Sequence, residues 1–365
     1  MSNGSGIAAK LARPNILELQ PYRCARDDYS EGILLDANEN AWGPPIDAQE
    51  ILERYPDPYQ IPLKEKMAAF RGEGVKPENI FVGVGSDEAI DLLFRIFCVP
   101  GKDKVITTPP TYGMYKVCAK VNDVEIVNVP LTPDFDIVVP DIIAAITPSV
   151  KMIFLCSPGN PTAKSLPLED LEAVAQQAPN VLIIVDEAYV DFSQSSAICL
   201  LRKHPNVCVL QTLSKAFGMA AIRCGFCFGA PDVIQLLNNV KAPYNINQLT
   251  SKAALQALEE DSLKKLQSNI RGVLAERAVV AAALEQLEFV VKVYPSDANF
   301  LLFRVQQSAK AVYQYMADHC GVVSRYRGTE LHCEECIRVT IGTPDDNKAF
   351  LDALQKAYQI VTQQQ

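Results

Sequence analysis

A chain of 365 residues, 48% of them hydrophobic, can bury a substantial core and is long enough for two domains. Its formal charge of −9, with no lysine- or arginine-rich block, argues against a nucleic-acid surface as the main function. No uninterrupted apolar run approaches the ~20 residues needed to span a bilayer, so no membrane span is expected.

In chain order, residues 80–85, 104–108, 150–156, 181–185, 207–210 and 225–229 read as short apolar strands, with helix-like stretches such as 87–97 and 168–177 between them. This alternation predicts an α/β fold with a mostly parallel central sheet covered by helices, in which ligands sit at the carboxyl ends of strands. Beyond about residue 265 the pattern changes. A long helical stretch through Leu284 leads to strand-like 289–294 and 299–305, a helix over 309–319, a strand at 336–341 and a last helix opened by Thr343-Pro344-Asp345-Asp346. The expected organisation is an N-terminal arm, 1–45, joining a smaller α/β domain, 266–365, with a larger domain, 46–265, between them.

Polar motifs follow directly on several of these strands. Val84-Gly85-Ser86-Asp87-Glu88-Ala89 is a strand end, a glycine turn and a helix start, which reads either as an ordinary N-cap or as a place where backbone N–H groups hold a phosphate. Tyr112, after the strand at 104–108, offers an aromatic face to a flat ring. In Ser157-Pro158-Gly159-Asn160-Pro161-Thr162, prolines on both sides fix the direction of the Asn160 amide; a plain turn is the alternative. Val185-Asp186-Glu187-Ala188-Tyr189 puts an acid after an apolar strand. It either caps the next turn or stays ionised against a cation such as a protonated pyridine nitrogen. Thr212-Leu213-Ser214-Lys215, with Arg223 eight residues on, places an amine among hydroxyls and near a guanidinium. That grouping suits a lysine that condenses with an aldehyde while its neighbours hold a phosphate, as pyridoxal phosphate requires.

Residues 1–9 lack a basic stretch followed by an apolar core, so no secretory leader is expected. Eleven cysteines, an odd number scattered through apolar runs, fit reduced, buried thiols and a cytoplasmic location. Cys333-Glu334-Glu335-Cys336, preceded by His332, has the local look of half a zinc site. Cys224 and Cys227 share the spacing, but in a strand their side chains point to opposite faces. Unligated cysteines and no metal are the expectation.

Taken together, G-S-D-E, P-T-Y-G-M-Y, S-P-G-N-P-T, V-D-E-A-Y, T-L-S-K-A-F-G and R-C-G-F resemble the ordered motifs of the fold-type I, pyridoxal-phosphate aminotransferases. Within them, the run from Leu35 to Pro45, the run from Arg54 to Pro58 and the run from Cys336 to Thr343 are similar to the histidinol-phosphate aminotransferase family. The resemblance implies pyridoxal 5′-phosphate as cofactor, with Lys215 joined to its aldehyde, Asp186 on the ring nitrogen, Asn160 and Tyr189 on the ring oxygen, and Tyr112 stacked on the ring. It implies Ser86, Asp87, Glu88, Thr212, Ser214 and Arg223 around the phosphate, and Tyr55 reaching that phosphate from a second subunit of a homodimer. Tyr22, Asn38, Arg325 and Arg338 are implied at the substrate, with Arg338 serving the glutamate carboxylate in one half-reaction and the histidinol phosphate group, with Arg325, in the other. Arg327 is left without a role. The nearest alternatives are a threonine-phosphate decarboxylase or an aromatic aminotransferase. A cofactor-binding regulatory domain is the rival from another class, against which stands the absence of any helix-turn-helix-like or basic segment.

Overall fold

The computed structural model describes residues 6–29, 31–48 and 51–363. Part of the stretch read for a leader, residues 1–5, lies outside the described residues. Seven strands form the larger sheet: β1 (Ile80–Val84), β2 (Lys104–Thr107), β3 (Glu125–Asn128), β4 (Val150–Cys156), β5 (Leu182–Asp186), β6 (Val207–Thr212) and β7 (Cys224–Phe228). Their order is β1-β7-β6-β5-β4-β2-β3. From β3 to β6 every pair is parallel, while β7 runs antiparallel to both β6 and β1. The expected mostly parallel sheet is therefore present, with one reversed strand.

The apolar runs of β4, β5 and β6 are continuous because both faces are covered. Ile153, Leu155, Ile183, Val185, Val207 and Val209 enter one core, while Met152, Phe154, Leu182, Ile184, Cys208 and Leu210 enter the other. Side chains alternating across a pleated strand produce that division. The first core is closed by α3 (Ile61–Arg71), α6 (Val139–Ala144), α7 (Leu168–Gln177) and α9 (Gln248–Ala257). The second is closed by α4 (Gly85–Phe97), α5 (Met114–Val121) and α8 (Pro231–Val240). Helix α4 starts at Gly85, two residues before the expected start, so the glycine read as the end of a strand belongs to the helix.

Of the N-terminal arm, α1 (Ile7–Leu11) and α2 (Pro14–Leu17) pack on the larger sheet's second layer. Ala8 N–H donates to Asp232 Oδ2 at 2.9 Å, and Arg13 N–H donates to the Ile96 carbonyl at 2.9 Å. The apolar side of Ile7, Ala8, Leu11 and Ile16 is what brings it there, since it buries against α4 and α8.

The 26-residue helix α10 (Glu260–Glu285) runs through the expected division at residue 265 and leads into a second, antiparallel sheet. Its strands are β8 (Val290–Val293), β9 (Phe300–Val305), β10 (Arg325–Tyr326) and β11 (Cys336–Thr340), in the order β10-β11-β9-β8. Helices α11 (Ala309–Cys320) and α12 (Pro344–Gln363) close a third core on it. Ala298 and Phe300 of this unit pack on Ala163, Tyr189 and Phe192 of the larger one. Asp297 N–H also donates to the Ala163 carbonyl at 2.7 Å. These contacts carry β9, and β11 beside it, to the carboxyl ends of β4 and β5.

Candidate active site

The turn between β1 and α4 sets one end of a cavity of about 440 Å³. Gly85 adopts φ +70°, and its N–H donates to the Arg223 carbonyl at 3.0 Å. Arg223 is itself left-handed, at φ 53°. The approach of β7 to this turn demands glycine, because a Cβ on Gly225 would lie 2.3 Å from the Ser86 nitrogen. Ser86 and Asp87 thus open a 13-residue helix against hydroxyls from the end of β6. There Thr212 Oγ1 donates to Ser214 Oγ at 2.9 Å, and Arg223 reaches Ser214 Oγ at 3.4 Å and Asp87 Oδ2 at 3.3 Å. Helix-start amides, two hydroxyls and a guanidinium make an anion cradle.

Asp186 ends β5 and is 2% exposed. Burial pushes its carboxyl up to about 6, opposed first by the Tyr115 hydroxyl, which donates to Oδ2 at 2.7 Å. Glu187 points the other way, into a polar nest of Ser196, the Ala197 N–H and Gln211, and burial pushes it up to about 7. Asn160 stands between cis Ser157–Pro158 and its own cis bond to Pro161, and Oδ1 accepts from Arg338 Nη1 at 2.5 Å. Tyr189 is buried edge-on to Phe300. Lys215 Nζ lies 5.4 Å from the centre of the Tyr189 ring. Solvent reaches this side chain through the cavity mouth, but its amine is pushed below the ordinary lysine range by desolvation and then by Arg338. Tyr112 lines the wall, with its hydroxyl donating to Asp87 Oδ1 at 3.2 Å.

At the other end stand three arginines. Arg325 and Arg338 are register partners across β10 and β11, and Arg327 follows two residues on. Arg338 packs 5.1 Å over the Phe300 ring and is pushed down by desolvation and by Arg327 and Arg325. Arg327 pairs with Glu330 at 2.8 Å, while its buried Nε has no partner. This crowd of cations suits a dianion.

Not every expected residue lines this cavity. Glu88 turns away, accepting from the Val84 N–H at 2.6 Å and from Asn245 at 2.9 Å, so it braces the turn instead of facing an anion. Tyr55 and Asn38 line a separate cavity, where Tyr55 stacks on Tyr244 at 4.6 Å. Tyr22 lines a third one and is 63% exposed. Tyr115 and Cys156 were not singled out, and Arg327 had no role. The only trace of Tyr115 in the sequence is a second tyrosine three residues after Tyr112, which does not by itself separate a core ring from a site hydroxyl. All eleven cysteines are unpaired, with Cys224 and Cys227 on opposite faces of β7. Among the described residues, no group of three or more His, Cys, Asp and Glu side chains could hold a metal, and no helix is long and apolar enough to cross a membrane.

Residues 27–354 match the family described as Aminotransferase class I and II. The chain is 45% identical over 370 residues to the histidinol-phosphate aminotransferase of Schizosaccharomyces pombe, covering 95% of this chain and 96% of that one. It is 44% identical over 375 residues to that of Saccharomyces cerevisiae, covering 95% and 97%. The chain belongs to the histidinol-phosphate aminotransferase family. The fold agrees with the crystal structure of the Sinorhizobium meliloti histidinol-phosphate aminotransferase in complex with pyridoxal-5′-phosphate, at TM-score 0.77 and 24% identity, covering 89% of this chain and 90% of that one. The cavity of this family member suits such a group. Its anion cradle, its buried carboxylate and its lysine face one volume, and among the described residues no cation is bonded to that carboxylate.

Proposed function

We propose that the chain moves an amino group between L-glutamate or 2-oxoglutarate and imidazole-acetol phosphate or L-histidinol phosphate, in L-histidine biosynthesis, by two alternating half-reactions. The observation that carries this reading is the union in one cavity of Lys215 and Asp186 with an anion cradle at one end and three arginines at the other. Pyridoxal 5′-phosphate is the cofactor; when bound it supplies an aldehyde to receive the amino group and an electron-poor ring that stabilises the carbanion.

Each of the chain's own groups then has a task. The amides at Ser86 and Asp87, with Thr212, Ser214 and Arg223, hold the cofactor phosphate. Asp186 pairs its carboxylate with the ring nitrogen, a partner that compensates the cost of burying that charge. Asn160 and Tyr189 share the ring oxygen, and Tyr112 covers the ring. Lys215, its proton affinity lowered by burial and by Arg338, can accept and return a proton at Nζ. Arg338, with Arg325 and Arg327 beside it, takes the glutamate carboxylate in one half-reaction and the phosphate in the other.

A homodimer in the cytoplasm belongs to the same reading. Tyr55, Asn38 and Tyr22 lie outside the chain's own cavity, on a segment where Trp42, Ile33 and Leu35 are 98%, 90% and 81% exposed. Apolar side chains left bare to that degree suit coverage by a second copy. Unpaired cysteines suit a reducing compartment.

The test is an absorbance spectrum of the cofactor-loaded protein before and after L-glutamate, then the same sample offered imidazole-acetol phosphate, phenylpyruvate and threonine phosphate in parallel. The expected result is a glutamate-driven change in the visible band that imidazole-acetol phosphate alone reverses. Lys215→Ala should lose that band and essentially all turnover. Carbon dioxide released from threonine phosphate, or preference for phenylpyruvate, would overturn the substrate assignment. A Lys215→Ala variant turning over at normal speed would overturn the lysine.

A further inference from the structure

Tyr115 is 1% exposed, on the first turn of α5. Its ring stacks on Phe154 at 4.7 Å, which in turn stacks on Phe94 at 5.3 Å, and Tyr112 meets it edge-on at 5.7 Å. For those contacts alone a phenylalanine would serve. A buried phenol is costly unless its O–H has a partner. Here the partner is Asp186 Oδ2 at 2.7 Å, which leaves Oδ1 with one long bond, 3.3 Å from the Ala188 N–H. One carboxylate oxygen is committed to Tyr115 and the other is available.

We propose that Tyr115 is a positioning residue for the amino transfer: its hydroxyl fixes one oxygen of Asp186, so that the carboxylate stays ionised and turned toward the cofactor's ring nitrogen. This rests on the reading above that Asp186 pairs with that nitrogen. The charged and titratable groups around Asp186 are Asp87 of α4, Tyr112 and Tyr115 at the start of α5, Cys156 of β4, Tyr189 after β5 and Lys215 after β6. Burial raises its proton affinity most, and Asp87 adds to that. Tyr115 is the first of the groups that lower it, ahead of the Ala188 N–H and Lys215. Burial also holds the Tyr115 proton far above the ordinary phenol range, so the hydroxyl remains a donor at every working pH.

Tyr115→Phe tests this in the full chain. Equilibrium titration of the cofactor-free protein with pyridoxal phosphate, repeated from acid to neutral pH, reads Asp186 without any turnover. Losing the O–H raises the carboxyl's proton affinity, so the pH at which cofactor affinity is half lost should move up by about one unit. With L-glutamate, the single-turnover rate of the loaded variant should fall roughly tenfold while KM changes little. Replacing Tyr115 by 3-fluorotyrosine, a stronger donor of nearly the same shape, should move the midpoint down. A midpoint unchanged in Tyr115→Phe, or shifted the same way by both replacements, would reduce Tyr115 to packing and overturn the proposal. Should Tyr115→Phe not fold, the fluorinated chain decides alone. Asp186→Asn run in parallel keeps the two layers apart: cofactor affinity unchanged there means the Asp186 reading itself is wrong, whatever Tyr115 does.

Discussion

In the proposed reaction both half-reactions converge on Arg338, which meets Asn160 on the cofactor side and Arg325 and Arg327 on the other. Truncation to alanine removes a charge-assisted contact from each substrate anion and frees Asn160. Each half-reaction should therefore slow by roughly 10- to 100-fold in kcat/KM. Stopped-flow measurement with glutamate and with histidinol phosphate separately checks this, and a loss confined to one of them would refute the shared grip. Glu187 makes a different prediction, about stability. Its carboxyl is pushed from the ordinary 4.5 up to about 7 by burial. Between those values the folded chain keeps a proton that the unfolded chain has lost. Stability therefore falls as pH rises through that window, and the loss is complete above about 7. In Glu187→Gln that slope should flatten, so its Tm relative to the unsubstituted chain should climb between about pH 5 and 8, by up to on the order of 3 kcal/mol in stability. A Tm difference that does not vary with pH would show that Glu187 does not titrate there.

At the scale of elements, the anion cradle depends on how closely β7 passes the turn from β1 to α4. A Cβ at Gly225 would sit 2.3 Å from the Ser86 nitrogen and 2.4 Å from the Gly85 carbonyl carbon, both rigid backbone atoms. Gly225→Ala should push the turn aside and weaken pyridoxal phosphate binding at least about tenfold, at a stability cost of roughly 1–3 kcal/mol. Gly272→Ala, in the middle of α10 with nothing within 4 Å of its Cβ, is the control and should be neutral or slightly stabilising. Equal affinities in the two variants would show that the approach of β7 is unimportant. This level of structure was partly legible in the sequence. Strand ends, glycine turns and helix starts are local signals, so Ser86, Asn160, Asp186 and Lys215 could be picked out as the polar residues that follow apolar runs. Tyr115 could not, because a tyrosine on a helix's first turn reads as core until its hydroxyl is seen against Asp186. Arg327 had no role because the side it faces depends on the pairing of β10 with β11, a non-local fact. The place of Glu88 was not legible, because the helix-start pattern does not reveal that Asn245, 157 positions away, bonds its carboxylate. The packing of α1 was not legible for the same reason: its partner, α8, lies more than 200 residues further along the chain.

At the scale of the whole molecule, a single chain leaves Tyr55, Asn38 and Tyr22 outside its own cofactor cavity. If a second copy supplies Tyr55 to the anion cradle, the site is divided between subunits, and damage on either side of it becomes separable. Lys215→Ala destroys a site from within; at limiting pyridoxal phosphate, Tyr55→Ala empties it from across the interface. In a hybrid of the two variants, one site carries both lesions and the other carries neither. Random exchange between two inactive pools forms hybrids in half of the dimers, each with one intact site of two. Activity should thus recover to about a quarter of the unsubstituted level after mixing under conditions that let subunits exchange. Light scattering of the unmixed chain should give twice the 40.1 kDa monomer mass. If the mixture stays inactive while mass measurement shows that exchange has occurred, Tyr55 serves no site but its own chain's, and its stacking on Tyr244 is structural. If a second copy covers the exposed segment carrying Trp42, Ile33 and Leu35, Trp42 fluorescence should shift to shorter wavelength as subunits associate and return on dilution.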